Sequence, residues 1–351
     1  MRVLVTGAAG FLGSHLCDDL LEQGHEVIGL DNFFRGKKEN LPKHENFTFE
    51  DCDLTESAPG WGVKLHIYRT QPDVVVHYGA INGTRYFYDI PYKVCNDNIK
   101  MTQNVLDGCK VVKSVKKVVY ASSSEIYGPE PVVPTKETEP MVLHSSADRD
   151  SYASSKGIGE FLVKLWAKEN DRNYLIVRPF NTYGTRMATG GYGQVIPEFI
   201  ERIQSNEEFF LYGDGKQTRS FCYVKDHTKI VTELIENVDD EILNVGFDEE
   251  VTIGHLAKSI HDSLGLDYNP KYKDAWANDT KWRKPDLSKL KACINHKNFV
   301  PLKVGIQKAI AIGGNDPRRY TVGDPRNSIN PMTGKPEFFD LKKLILPVLG
   351  N

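Results

Sequence analysis

Gly7-Ala8-Ala9-Gly10-Phe11-Leu12-Gly13 directly follows the β-branched run Val3-Leu4-Val5 and opens an amphipathic stretch from Leu12 to Gln23. In that stretch Leu12, Leu16, Leu20 and Leu21 recur at helical spacing. A glycine at 7 permits a tight turn, one at 10 lets backbone approach a pyrophosphate, and one at 13 lets a helix pack on its sheet. The free amides and positive dipole at the start of that helix then suit an anion. A glycine-rich loop alone is weak evidence, but here a strand precedes it and a helix follows. Further runs, Val27-Ile28-Gly29-Leu30, Val74-Val75-Val76, Val118-Val119-Tyr120 and Leu175-Ile176-Val177, are apolar on both faces and read as buried strands. A second helical pattern runs from Ser155 to Asn170. Strand and helix alternating this way predict an α/β fold, a Rossmann-type doubly wound parallel sheet.

The rhythm breaks after about residue 180, where Gly190-Gly191-Tyr192-Gly193 and Gly213-Asp214-Gly215 interrupt it. The expected organisation is a dinucleotide-binding domain over 1–180, to which later segments return. A smaller C-terminal substrate-binding lobe follows over 181–312. Residues 313–351 read as a surface-wrapping tail, helical only from Phe338 to Leu349.

The 351 residues carry 44 Lys and Arg against 47 Asp and Glu, a net charge of -3 that argues against a general nucleic-acid partner. Apolar residues make up 40% of the chain, yet no run approaches the ~20 needed to cross a membrane. The chain opens straight into a strand, without a charged leader. Its six cysteines have neither a C-x-x-C pair nor metal-ligand spacing, so reduced thiols of a cytoplasmic protein are expected and no metal.

Asp31 ends the second strand near the ~20-residue spacing at which a carboxylate meets a ribose. It would accept both ribose hydroxyls and repel a 2′-phosphate, which favours NAD over NADP, although Arg35 stands near. Asp53, after another strand, is placed to accept from an adenine amino group or to cap a helix. Tyr152-Ala153-Ser154-Ser155-Lys156 puts a phenol and an ammonium on one helix face. A neighbouring cation lowers a phenol's pKa from ~10 and makes it a usable general base. Upstream, Ser122-Ser123-Ser124-Glu125-Ile126-Tyr127-Gly128 leaves a strand at the carboxyl edge of the sheet.

These motifs occur in order with Arg178-Pro179-Phe180-Asn181-Thr182-Tyr183-Gly184 and Tyr212-Gly213-Asp214-Gly215-Lys216-Gln217-Thr218-Arg219-Ser220-Phe221. As a set, over residues 1 to about 311, they resemble the extended short-chain dehydrogenase/reductases that modify nucleotide sugars, the epimerase/dehydratase group. The resemblance implies a tightly held NAD, a nucleotide-diphosphate sugar as substrate, and a homodimer formed through the helices after Asn98 and Tyr152. It makes Tyr152 the base for the C4 hydroxyl, Lys156 the partner of the nicotinamide ribose, and Ser123 a hydrogen-bond partner of the C4 oxygen. Cofactor contacts are implied from Gly7, Gly10, Phe11, Leu12, Gly13, Asp31, Asn32, Asp53, Leu54, Ala80 and Asn98. Substrate contacts are implied from Ser124, Arg85, Asn181, Arg219 and Arg283, the last three near the diphosphate. Two departures stand out: His77-Tyr78-Gly79-Ala80 where many members read His-Leu-Ala-Ala, and Met101 in place of a common glycine.

Relatives share C4 oxidation and differ afterwards. Glu125 resembles the residue of 4,6-dehydratases and UDP-glucuronate decarboxylases, where a carboxylate aimed at C5 can act as base. Lyase chemistry, dehydration or decarboxylation, is therefore the favoured expectation, and 4-epimerisation is the alternative. A non-catalytic dinucleotide sensor is disfavoured, because Ser123, Tyr152 and Lys156 are all present.

Overall fold

A computed structural model describes residues 1–57, 62–188, 194–205, 207–275 and 280–311. The Gly190–Gly193 segment and the expected tail with its Phe338–Leu349 helix lie outside the described residues. The chain runs β1 (Arg2–Thr6), α1 (Phe11–Glu22), β2 (Glu26–Asp31), β3 (Phe47–Asp51), α2 (Val63–Thr70), β4 (Val74–His77), α3 (Tyr86–Asp89), α4 (Pro91–Lys110), β5 (Lys117–Ala121), α5 (Asp150–Asn170) and β6 (Asn173–Pro179). It continues as β7 (Thr182–Tyr183), α6 (Val195–Gln204), β8 (Phe210–Tyr212), β9 (Thr218–Ser220), β10 (Cys222–Tyr223), α7 (Val224–Asn237), β11 (Glu241–Val245), β12 (Glu250–Thr252), α8 (Ile253–Leu264), β13 (Lys271–Lys273), β14 (Trp282–Arg283), α9 (Ser288–Cys293) and α10 (Leu302–Ala311).

Seven strands form one parallel sheet in the order β11-β6-β5-β4-β1-β2-β3. The expected parallel α/β sheet is thus present, flanked by helices on both faces. On one face Ile67 of α2, Val94 and Val105 of α4, and Val163 and Trp166 of α5 pack under the sheet. On the other, Leu16 and Leu20 of α1 meet Ile230, Val231 and Leu234 of α7. Strands buried on both faces need continuous apolar runs, which accounts for the Val-rich segments legible in the sequence.

The broken rhythm after residue 180 concealed the last α/β unit. The chain leaves the sheet after β6, builds small strand pairs, and then returns through α7 to the edge strand β11. Tyr183, Phe199, Ile200, Leu211, Phe221, Leu256, Ile260 and Ile306 form a separate apolar cluster from these later segments. Helix α5 starts at Asp150, ahead of its apolar pattern, and Tyr152 stands in its first turn as the Tyr152–Lys156 spacing predicts.

Behind the carboxyl edge of the sheet lies a buried ion pair. Arg178 of β6 donates from Nε to Glu160 Oε1 at 2.9 Å and from Nη2 to Oε2 at 2.7 Å. Its Nη1 reaches the Tyr127 hydroxyl at 2.7 Å, and that hydroxyl donates to Asn244 of β11 at 2.8 Å. A desolvated pair of this kind is costly to break from one side, because the remaining charge is left buried. Glu160→Ala is therefore expected to lower unfolding free energy by about 3–5 kcal/mol in urea titrations.

Candidate active site

The glycine loop is a steric necessity. Gly7 has φ +72°, and a Cβ on it would lie 2.9 Å from the Gly79 nitrogen. A Cβ on Gly13 would fall 2.1 Å from the Gly7 carbonyl oxygen. Gly7 and Ala8 donate to the Leu30 carbonyl at 2.8 and 3.1 Å, which lashes the loop to the end of β2. Helix α1 begins with no side-chain cap and no acidic residue in its first turn, so its positive end faces the cleft.

Asp31 closes that end. Its Oδ2 accepts from the Ala9 amide at 3.0 Å and its Oδ1 from the Phe33 amide at 2.8 Å. Burial raises its carboxyl above the ordinary value, against the pull of those two amides. Asn32 accepts from the Phe34 amide, and Asp53 accepts from the Thr55 amide and hydroxyl, so a side chain closes each of these carboxyl-edge turns. Leu54 lies against Gly79, where a Cβ would meet its Cδ1 at 2.5 Å.

One cleft of about 580 Å³ runs from Gly7, Gly10, Phe11, Leu12 and Gly13 past Asp31, Asn32, Asp53, Leu54 and Ala80 to Ser122 through Glu125, Tyr152 and Lys156. It ends at Asn181, Arg219 and Arg283. The structure thus gathers nearly every residue singled out in the sequence, with two exceptions. Asn98 is not on the lining itself: it accepts from the Ile81 amide at 2.7 Å and donates to the Ile81 carbonyl and Ser155, shaping the Ala80–Thr84 loop that lines the cleft. Arg85 pairs with Asp89 one turn along at 2.9 Å and is not among the residues lining the cleft. Of the two departures, Tyr78 sends its hydroxyl to His227 at 3.3 Å in the opposite layer, and Met101 is a buried lining residue.

At the chemical end, Ser123 caps the 3₁₀ turn Ser124–Tyr127 by accepting from the Glu125 amide, and shares a hydrogen bond with Tyr152. The Phe87 ring stacks on Tyr152 with centroids 4.9 Å apart. Lys156 donates from Nζ to the Ala121 carbonyl at 2.7 Å and sits 5.8 Å from the Tyr152 ring. The expected lowering of the phenol is not what the protein alone produces. Burial first, then the Glu125 charge, pushes Tyr152 up against Ser123 and Arg35. Burial meanwhile lowers Lys156 to about 7. The ammonium is therefore only partly present at neutral pH.

Glu125 brings a second difference. Arg283 grips both its oxygens, and Arg149 Nη2 lies 3.4 Å from Oε2. Burial alone would raise this carboxyl, but Arg283, Arg149 and Arg219 outweigh it and hold it at about 2. Arg283, expected at the diphosphate, lines the cleft and pairs with Glu125, and Arg149, three residues before Tyr152, was not singled out in the sequence. Asn181 donates to the Ser220 carbonyl at 3.0 Å, and Arg219 to the Thr218 carbonyl at 2.8 Å.

Residues 3–246 match the NAD dependent epimerase/dehydratase family. The chain belongs to that family. This member is 34% identical over 318 residues to the UDP-N-acetyl-alpha-D-glucosaminuronate decarboxylase of Bacillus cytotoxicus, covering 88% of this chain and 96% of that one. It is 32% identical over 313 residues to UDP-glucuronic acid decarboxylase 1 of Xenopus tropicalis, covering 88% and 71%. Among solved structures it is similar to the UDP-glucose 4-epimerase of Thermotoga maritima with UDP-glucose, at a TM-score of 0.80 and 30% identity over 88% of this chain and 97% of that one.

NAD, the family's cofactor, fits the cleft. Gly7 and Gly13 on its floor have no room for a Cβ, the start of α1 carries no internal cap, and the buried Ser122 hydroxyl on the lining has no partner among the described residues. No described helix is long and apolar enough to cross a membrane, and the described residues contain no metal-holding cluster. Asp31→Ala is expected to weaken NAD about 10–100-fold, the worth of one hydrogen bond to a carboxylate, and to narrow the gap to NADP. Calorimetric titration of both cofactors measures it.

Proposed function

We propose that this enzyme oxidises a nucleotide-linked uronic acid at C4 and decarboxylates it. The state of Glu125 carries the reading. Dehydration needs a base that takes the C5 proton, and a base works best when its pKa lies near the working pH. A carboxylate clamped by Arg283 and Arg149 and held at about 2 is poorly suited to that task. Decarboxylation needs no C5 base, because the C4 ketone itself accepts the electron pair. The decarboxylases to which the chain is similar support this choice.

In the proposed sequence Tyr152, whose phenol is pushed up in the protein alone and which the positive charge of bound NAD would draw down, takes the proton of the C4 hydroxyl, and Ser123 holds the same oxygen. NAD, held by Gly7, Gly13, Asp31 and Lys156, would supply the hydride acceptor at C4 and the donor for the closing reduction. With C4 a ketone, the C5–C6 bond of the uronate breaks, carbon dioxide leaves, and the electron pair moves onto the C4 oxygen. Tyr152 and Ser123 stabilise that oxygen by hydrogen bonding. A proton then adds at C5, and reduction at C4 gives a pentose. The net change is loss of carbon dioxide with uptake of one proton, and the cofactor ends unchanged. Asn181 and Arg219 are assigned to the diphosphate, a role suited to an arginine fork. Glu125, fixed as an anion, is assigned to the sugar hydroxyls and to aiming Arg283.

A second reading, 4-epimerisation without carbon loss, is supported by the similarity to the Thermotoga 4-epimerase and needs no group beyond Tyr152 and Ser123. Incubation with UDP-glucuronate and UDP-N-acetylglucosaminuronate separates the two. A product lighter by the mass of carbon dioxide is expected, an unchanged mass with inverted C4 would establish epimerisation, and loss of water would restore Glu125 as base. Tyr152→Phe should cut turnover by roughly 10²–10⁴ while NAD remains bound.

We also propose a homodimer through α4 and α5, supported by Ile158, Phe161 and Leu165, an exposed apolar row on α5. Phe161→Glu should halve the mass seen by light scattering.

A further inference from the structure

Lys156 is 3% exposed. Its ammonium has the Ala121 carbonyl at 2.7 Å and the Tyr120 ring centre at 5.0 Å. The nearby carboxylates serve other cations: Glu160 pairs with Arg178, and Glu125 with Arg283 and Arg149. The ring is thus a major source of negative potential at Nζ, since an aromatic face within about 6 Å attracts a cation, most strongly when both are desolvated.

Tyr120 is held firmly. It is 1% exposed, and its hydroxyl stands over Gly159, where a Cβ would come within 2.0 Å of it. That hydroxyl bonds Thr102, which donates to the Asn98 carbonyl at 2.9 Å and lies 3.2 Å from His77 Nε2. His77 Nδ1 is 2.8 Å from Thr6 Oγ1, and Thr6 accepts from the Gly79 amide at 3.0 Å. Burial and the Lys156 charge hold His77 neutral, at about 3, so this chain adds no competing charge. It runs from the ring to the residue that meets the glycine loop.

We propose that Tyr120 is a positioning residue for the cofactor: its ring face, fixed from behind by Gly159 and the Thr102–His77–Thr6 chain, holds the Lys156 ammonium where it meets the nicotinamide ribose. The proposal rests on the ribose role of Lys156 but not on which sugar reaction follows. The titratable groups facing Lys156 are Tyr120 from β5, His77 from β4 and Tyr152 from its own helix. Only the ammonium changes charge near neutrality, at about 7. Because the free protein's ammonium is lost as pH rises through that value, NAD affinity should be level below it and fall above it.

NAD binding by the full chain, measured calorimetrically across pH, tests this without any sugar. Tyr120→Phe keeps the ring and should stay within about threefold of the unaltered protein, with the same onset of the fall. Tyr120→Leu removes the ring and should move the onset down by up to about one pH unit, weakening NAD up to about tenfold above pH 7. An unshifted Leu variant, or a Phe variant as impaired as the Leu variant, would overturn the proposal. Should Tyr120→Leu fail to fold, phenylalanines at 120 carrying one to three fluorines replace it. They drain the ring face at nearly constant size, and the onset should fall stepwise; a level series would overturn the idea.

Discussion

Three backbone segments meet at Gly7, Gly13 and Gly79 more closely than any side chain allows. Methyl groups there would fall 2.9 Å from the Gly79 nitrogen, 2.1 Å from the Gly7 oxygen and 2.5 Å from Leu54. This contact lets the first helix start on the sheet edge with only backbone beneath it. The anion-attracting end of α1 consequently opens onto the ends of β1 and β4. The cofactor end of the cleft then follows from a parallel sheet. The carboxyl ends of its strands deliver Gly7, Asp31, Ala80, Ser122 and Asn181 to one rim.

Charge along that rim is graded. The most deeply buried pair, Arg178 with Glu160, lies behind the cleft and ties β6 to α5. In front of it Glu125 is an anion fixed by guanidinium groups. Lys156 is the opposite case, a buried cation held by a carbonyl and aromatic faces, and it rests near its own titration point. Strong pairing suits groups that must not change charge, and weak pairing suits a group whose field a proton transfer uses. The raised phenol of Tyr152 shows that the i, i+4 ammonium does not by itself prepare the base.

Much of the fold was legible because its physics is local. Strands buried on both faces must be apolar throughout, and a loop without room for Cβ must be glycine, so Val3–Val5 and Gly7–Gly13 announce themselves. The amphipathic helix α7 and its strand β11 did not, since the segments between β6 and α7 interrupt the alternation. Likewise Ser123, Tyr152 and Lys156 were readable from spacing and a family resemblance. Phe87, Arg149 and Tyr120 carry no local signature.

The sequence by itself therefore determined the parallel α/β sheet, the dinucleotide loop with Asp31, and the residue types of the chemical end, because each depends on neighbours within a few positions or on strand burial. Only the tertiary structure decided the state of those groups. Arg283 is remote from Glu125 in sequence, yet their contact holds the Glu125 carboxyl well below the usual carboxylate range. Asn98, inside α4, spends its side chain on the Ile81 backbone rather than on the cleft lining. Charge state and reach depend on which groups are desolvated together, and that is set by packing between distant segments.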